Sequence, residues 1–353
     1  VLQHPTSFPD PIMNRSVMLF AGCLVLTYLL AHAYRAVALR LLILDKPNHR
    51  SAHQAQTPTG AGLSFILVFL ASFTLPELSA DSSTDTILQI LPALMVVAVV
   101  GLLDDYRPLP WPLRAAVHLL CCVYVIWITG YPQINLLGQV VDLGPLGAVL
   151  GAIGLLWLLN LYNFMDGIDG IATLEALSVM VFAFAITFYL GLGDIPQPLI
   201  VLAAASAGFL VINWPQARVF MGDIGSGFLG LVFGVFIVTQ TMLPLWSWLI
   251  LLGWFITDAT VTITVRLFRG ETISEAHSQH LYQHLNRAVG TQRTLFGLVL
   301  INTCWLFPLA FAASIFQELG AVLLGLAYLP IIIFQYYCGA GQPTSKFIAR
   351  EAK

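Results

Sequence analysis

Charge is scarce in this sequence. Only 9% of the residues are Asp, Glu, Lys or Arg, where a soluble domain carries about 25%. No soluble-looking block runs longer than about thirty residues, so the 353-residue chain is not read as a string of soluble domains despite its length. Paired cysteines are missing as well. Cys23, Cys121, Cys122, Cys304 and Cys338 lie in or beside apolar runs and form no CxxC, which argues against a disulfide framework or a zinc site. The first apolar run has no strong basic stretch before it and no clear small-residue cleavage site after it. It is therefore read as a retained span and not a signal peptide, with Val1 to Ile12 an extension ahead of a start at Met13. The net charge of −3 says little, because in such a chain the placement of charge matters more than its sum.

Long apolar runs are what the sequence does contain; 58% of its residues are hydrophobic. A helix needs about 20 mainly apolar residues to cross a ~30 Å hydrocarbon core. Such runs lie near 17–34, 61–76, 87–103, 115–130, 146–162, 171–192, 198–213, 227–242, 246–265, 294–316 and 319–338. They predict an all-α, polytopic membrane helix bundle of about eleven transmembrane helices. Residues 1–16 form an N-terminal tail, 17–338 one transmembrane domain, and 339–353 a cytoplasmic tail. When sides alternate along the chain, all of the 15 Lys and Arg residues except Arg15 fall on one side. The other side carries Glu77, Asp81, Asp85, Asp142, Asp194 and Glu318. Positive loops stay in the cytoplasm, which sets the N-terminus outside and the C-terminus inside. The inner loops are the longer ones and hold nearly every polar cluster.

Five clusters could carry chemistry. The first inner loop reads Asp45-Lys46-Pro47-Asn48-His49-Arg50-Ser51-Ala52-His53, followed by Pro58, Gly60 and Gly62. Arg50 and His53 suit a phosphate there, although a basic loop drawn to anionic lipid has the same composition. The second places Asp104 and Asp105 at the end of an apolar span, where carboxylates oppose the helix dipole unless a metal, a proton or a cationic partner relieves them. In the third, Asn160, Asn163, Asp166 and Asp169 recur every third residue among apolar neighbours, with Gly167 and Gly170 beside the acids. Ionisable groups are costly there, and hard oxygen donors of this kind suit a divalent cation. The fourth is Gly222-Asp223-Ile224-Gly225-Ser226-Gly227, just before another apolar run. In the fifth, His277, His280, His284 and Arg287 lie in the longest and most basic loop, on one face if it is helical. Phosphate or nucleotide contact, a transition-metal site and an interfacial amphipathic helix all remain open for it.

In this order, the clusters resemble the polyprenyl-phosphate N-acetylhexosamine-1-phosphate transferase superfamily, glycosyltransferase family 4. Its bacterial members initiate peptidoglycan, enterobacterial common antigen and O-antigen synthesis. The resemblance covers roughly residues 15 to 340 and rests on Asp45 to Asn48 with Pro58 and Gly62, Gly101 to Asp105, Asn160 to Gly170, Gly222 to Ser226, and His277 to His284. It implies roles position by position. Asp223 and Asn163 match residues that hold Mg2+, with Mn2+ an acceptable substitute. Asp166 and Asp169 match acids lining the nucleotide–diphosphate pocket, and Asp104 and Asp105 a pair tied to the lipid phosphate; together these four form the catalytic set. Asn160, Arg50, His53, Gly222, His277, His280, His284 and Arg287 are the implied substrate-binding positions. Two departures, Gln56 in place of a lysine and Gln-rich spacing in place of adjacent histidines, argue against a muramyl-pentapeptide substrate and towards the O-antigen-initiating branch.

The implied reaction moves an N-acetylhexosamine-1-phosphate from a UDP-sugar to undecaprenyl phosphate at the cytoplasmic face of a bacterial inner membrane. The bilayer is a partner, a homodimer is compatible with the resemblance, and no nucleic acid is expected. An ion-coupled transporter is the alternative from another class. It calls for acids near mid-span and half-to-half symmetry. A non-catalytic scaffold is the other alternative.

Overall fold

The structure, a computed structural model, describes residues 11–45, 56–73, 82–272, 275 and 277–343. Arg50 and His53, two of the expected substrate-binding residues, lie outside the described residues. The chain winds through α1 (Pro11–Leu41), α2 (Leu63–Ser72), α3 (Ser82–Tyr106), α4 (Trp111–Thr129), α5 (Gly144–Phe164), α6 (Ile171–Leu190) and α7 (Gln197–Asn213). It continues through α8 (Gly222–Thr239), α9 (Leu245–Leu251), α10 (Gly253–Phe268), α11 (Leu281–Val289), α12 (Thr291–Ile301), α13 (Phe307–Ile315) and α14 (Gly320–Tyr337). Two short antiparallel pairs complete it: β1 (Leu44–Asp45) with β2 (Thr57–Pro58), and β3 (Ile134–Leu136) with β4 (Gln139–Val141). The all-α membrane class expected from the sequence is what the chain adopts.

Local sequence sets many helix boundaries. Prolines stand in the first turn of α4, α5 and α7, where the missing N–H costs nothing and the fixed φ suits a helix. Gly191, in the left-handed region, closes α6. A π-helical turn, Asn302–Leu306, joins α12 to α13.

By length and composition, eight spans among the described residues can cross a membrane, one of them α12 continued through the π-helical turn into α13, or nine if α9 and α10, bent by 72° at Leu252, count as one broken span. Two of the eleven expected runs correspond to shorter helices. The 61–76 run contains α2, whose ten residues rise about 15 Å, half a hydrocarbon core. The 198–213 run forms α7, which is 17 residues long. The 198–213 run and α7 agree in length, whereas the 61–76 run is longer than α2, because hydropathy counts apolar residues whether or not they wind into helix.

The centre of the bundle is α8. From Ile224 to Val238 every residue is buried, and α3 and α5 pack along it. α3 and α5 end, and α4 and α8 begin, at the same end of the bundle, so four helix termini meet there. The segment from Pro58 to Gly62 seals one side by backbone bonds: Phe220 N donates to Pro58 O, Ala61 N to Phe220 O and Gly62 N to Met221 O. Gly101 permits the closest approach. A β-carbon at this position would lie 2.6 Å from the Asp223 carbonyl carbon, against backbone that cannot swing aside. Gly101→Ala should therefore destabilise the protein by about 1–3 kcal/mol. That would appear as a lower melting temperature in detergent; an unchanged melt would contradict the packing of α3 on α8.

Candidate active site

At the meeting of helix ends, α3 contributes two adjacent carboxylates with different uses. Asp105 accepts hydrogen bonds from the backbone N–H of Asp223 (2.9 Å) and of Ile224 (3.1 Å). It thus satisfies two of the unpaired amides that open α8, at the positive end of that helix's dipole. Gly222 makes room for it: its φ of +76° suits glycine, and a β-carbon there would run into the Asp105 carboxylate. Asp104 turns the other way, accepting from Leu109 N–H (2.6 Å) and pairing with the Arg114 guanidinium.

Arg114 is the hub. The same nitrogen that pairs with Asp104 lies 2.8 Å from Asp223 Oδ2. Asn163, near the end of α5, donates Nδ2–H to Asp223 Oδ1 (2.7 Å) and to the Ser226 hydroxyl (3.0 Å). Asp223 is thus held between a guanidinium and a carboxamide. The cleft beside it is lined by Val100, Gly101, Arg114, His118, Leu159, Asn160, Asn163, Asp223 and Gly227. Asn160 reaches this cleft one turn before Asn163, and its Nδ2 donates back to Leu156 O.

The array from Asn160 to Asp169 does not continue as one helical face. Asn160 and Asn163 are in α5, and Asp166 and Asp169 are in the turn that follows. Asp169 accepts a hydrogen bond from Ala217 N–H (2.9 Å) and ties that turn to the approach to α8. Asp166 is pushed well above the ordinary carboxylate range, first by burial and then by Asp223, Asp105 and Asp169. Four carboxylates therefore crowd one another, and Arg114 is the cation in direct contact with two members of the wider cluster.

The histidine loop docks beside this turn. α11 begins at Leu281, so His277 and His280 precede the helix and only His284 is in it. His277 stacks on His280, and His280 on Tyr282. Tyr282 donates its hydroxyl to Phe164 O (2.9 Å), next to Asp166. Arg287 donates to Ser278 O and to His284 Nδ1 (2.7 Å). The loop's other cations are offset locally, with Arg266 and Arg269 each 3.0 Å from Glu271.

Several residues were not singled out from sequence. Arg114 could have been: it stands in the first turn of α4, where a cation opposes the helix dipole and needs an anion nearby. His118 follows it by one turn. Asp258, fully buried in α10, accepts from Leu281 N–H (2.9 Å) and Tyr282 N–H (3.0 Å), with His280 Nδ1 at 3.6 Å. Glu175, fully buried in α6, accepts from Asn302 (2.6 Å). A single acid inside an apolar run is the signal in both cases. Neither stands alone; each has an internal partner. Among the described residues, no group of three or more His, Cys, Asp or Glu side chains is placed to hold a metal ion.

Residues 87–241 match the family model for glycosyl transferase family 4. That stretch holds Asp104, Asp105, Arg114, Asn160, Asn163, Asp166, Asp169 and Asp223. Relatives match over most of the chain. A probable undecaprenyl-phosphate N-acetylglucosaminyl 1-phosphate transferase of Bacillus subtilis is 24% identical over 92% of both chains. A decaprenyl-phosphate N-acetylglucosaminephosphotransferase of Mycobacterium tuberculosis is 29% identical over 85% of this chain and 83% of its own. An undecaprenyl-phosphate alpha-N-acetylglucosaminyl 1-phosphate transferase of Salmonella typhi is 25% identical over 90% and 89%. These likenesses support a place for the chain among the polyprenyl-phosphate N-acetylhexosamine-1-phosphate transferases. The match to the family model ends at residue 241, so α10, α11 and the histidine loop lie beyond it.

Titration of His284 gives a test of how α11 is seated. Burial, and then Arg287, lower its pKa from 6.5 to about 4. The unfolded chain therefore takes up this proton at a higher pH than the folded chain does. The neutral ring's contribution to stability is complete above about pH 6.5 and is lost as the pH falls towards about 4. His284→Gln should flatten the pH dependence of the melting temperature across that window. Equal slopes for variant and wild type would remove His284 as a source of acid sensitivity.

Proposed function

We propose that this chain transfers an N-acetylhexosamine-1-phosphate from a UDP-sugar to undecaprenyl phosphate, releasing UMP, at the cytoplasmic face of a bacterial inner membrane. The observation that carries this reading is Asp223, held by Arg114 and Asn163 at a cleft where four helix ends meet, with half-buried Asp166 close enough to feel its charge. Crowded carboxylates beside a cleft call for a cation, and an anionic diphosphate calls for one too. Mg2+ is commonly bound through one or two carboxylates together with water and substrate phosphates, without a full cage of protein ligands. The oxygen-rich pair Asp223 and Asn163, with no histidine or cysteine cluster around it among the described residues, fits that habit. Half a turn of the Asn163 carboxamide would present its oxygen to the ion. Mn2+ would serve in the same donors. When bound, the ion offsets charge on the diphosphate.

In the reaction, an oxygen of the lipid phosphate attacks the sugar-linked phosphorus, and the bond from that phosphorus to the UMP oxygen breaks. The electron pair leaves with UMP, and the product is a lipid-diphosphate sugar. Little covalent chemistry falls to the protein, so positioning and electrostatics dominate. Arg114 supplies positive charge beside Asp223. Asp105 and Asp169 act through the backbone, holding the start of α8 and the preceding loop. A lipid phosphate is already ionised at neutral pH, so direct attack needs no strong base. His277, His280, His284 and Arg287 lie on the side from which sugar and diphosphate would be recognised. Initiation of O-antigen or a related surface polysaccharide is the role consistent with the form of that loop.

Purified protein incubated with undecaprenyl phosphate, Mg2+ and a panel of UDP-N-acetylhexosamines should release UMP with at least one sugar. Asp223→Asn should lower the rate about 100-fold or more. A chelator should abolish the release and added Mg2+ restore it. A folded, lipid-bound wild type that releases nothing across the panel would overturn the transferase reading, and full activity of Asp223→Asn would overturn the role of that carboxylate.

A further inference from the structure

The cleft has two levels. Arg114, Asn163 and Asp223 are within a turn of their helix ends. One turn further into the bundle, the same helices contribute His118 from α4, Val100 and Gly101 from α3, Leu159 and Asn160 from α5, and Gly227 from α8. His118 follows Arg114 by four residues, so it shares that face of α4 and lies about 6 Å deeper. Its surroundings at this level are mainly apolar. Yet both of its ring nitrogens are buried and neither has a hydrogen-bond partner. Asn160, the other polar group at this level, already donates to Leu156 O within its own helix. An imidazole whose two nitrogens are both buried and unpaired is uncommon, because such atoms nearly always find a partner in the protein, in water or in a ligand.

The two substrates differ in how they would reach this level. A nucleotide sugar is soluble and polar, and the Val100, Leu159 and Gly227 surfaces offer it nothing. A polyprenyl phosphate carries its phosphate on a hydrocarbon chain and approaches from within the membrane. Its headgroup would meet His118 below and Arg114 above, with the first prenyl units against the apolar wall. Building on the transferase reading, we propose that His118 is a specificity-determining residue that donates an imidazole N–H to the phosphate of the polyprenyl acceptor and holds it beneath the Arg114–Asp223 contact. Either protonation state of the ring retains an N–H for this purpose.

Two variants remove the donor, His118→Leu with a bulky apolar replacement and His118→Ala with a small one. His118→Gln keeps an N–H at similar reach. Thermal melting checks that each variant folds. The donor-less variants should raise KM for undecaprenyl phosphate about 10-fold, a factor matching the loss of one hydrogen bond, while KM for the UDP-sugar stays within about two-fold and His118→Gln recovers most of the loss. Equilibrium binding of a short-chain polyprenyl phosphate should weaken by the same factor, and binding of UMP should not change. An unchanged lipid KM, or a rise confined to the UDP-sugar, would overturn the proposal. The binding measurement also separates the two readings. If wild type binds polyprenyl phosphate but transfers nothing, the transferase reading fails and the binding comparison still decides His118. If wild type does not bind the lipid phosphate, His118 has no such role.

Discussion

The contact between the Asp105 carboxylate and the first amides of α8 joins two helix ends, each of which carries an unfavourable charge by itself. α3 ends in carboxylates where its own dipole is negative, and α8 starts with unpaired N–H groups where its dipole is positive. Placed against each other, the two ends cancel. The fit needs glycine at two positions, Gly101 where α3 meets the backbone at Asp223 and Gly222 where the chain turns into α8 beside the carboxylate. The second conflict is settled in the same place. Arg114 opposes the dipole at the start of α4, Asp104 opposes it at the end of α3, and they pair. Asp223, the first carboxylate of α8, then meets Arg114 from the other side. The cleft follows from these matched ends, because four helices whose termini attract one another must converge there.

The sequence makes the location of this chemistry legible and its division of labour much less so. Asn160, Asn163, Asp166, Asp169 and Asp223 stand out because each interrupts an apolar stretch, and that is costly without a reason. Asp104 and Asp105 stand out as a pair, yet one serves an arginine and the other a helix end, and nothing in their spacing distinguishes them. Arg114 looks like one more inner-loop cation when charges are counted by side. Its importance comes from partners at positions 104 and 223, which only the packing of α3, α4 and α8 brings together. Asp258 is a similar case. Its acceptors' partners, the amides of Leu281 and Tyr282, are more than six helical turns away along the chain, across the loop that separates α10 from α11. Span count suffers from a related limit. Apolar composition marks the whole 61–76 run, whereas only ten residues of it wind into α2.

The histidine loop shows how a segment far along the sequence becomes part of the same unit. Asp258 anchors the N-terminus of α11 from inside α10, and Tyr282, in the first turn of α11, bonds to Phe164 O at the end of α5. Gly167 lies so close to the Tyr282 hydroxyl that a β-carbon there would push the hydroxyl away from Phe164 O. Three elements are therefore fixed relative to one another: α10 by its buried carboxylate, α11 by its amides and phenol, and the Asp166 turn by a carbonyl and a bare Cα. A shift of α11 has to be shared by the turn that carries Asp166, or else these bonds break. The turn is in turn fastened through Asp169 to Ala217, a few residues ahead of Gly222. The chain of contacts that starts at Asp258 thus closes on the same helix start that Asp105 caps. Residues of the fifth cluster and those of the second, more than 150 positions apart in sequence, are held in one frame by backbone-to-carboxylate bonds and the Tyr282 hydroxyl.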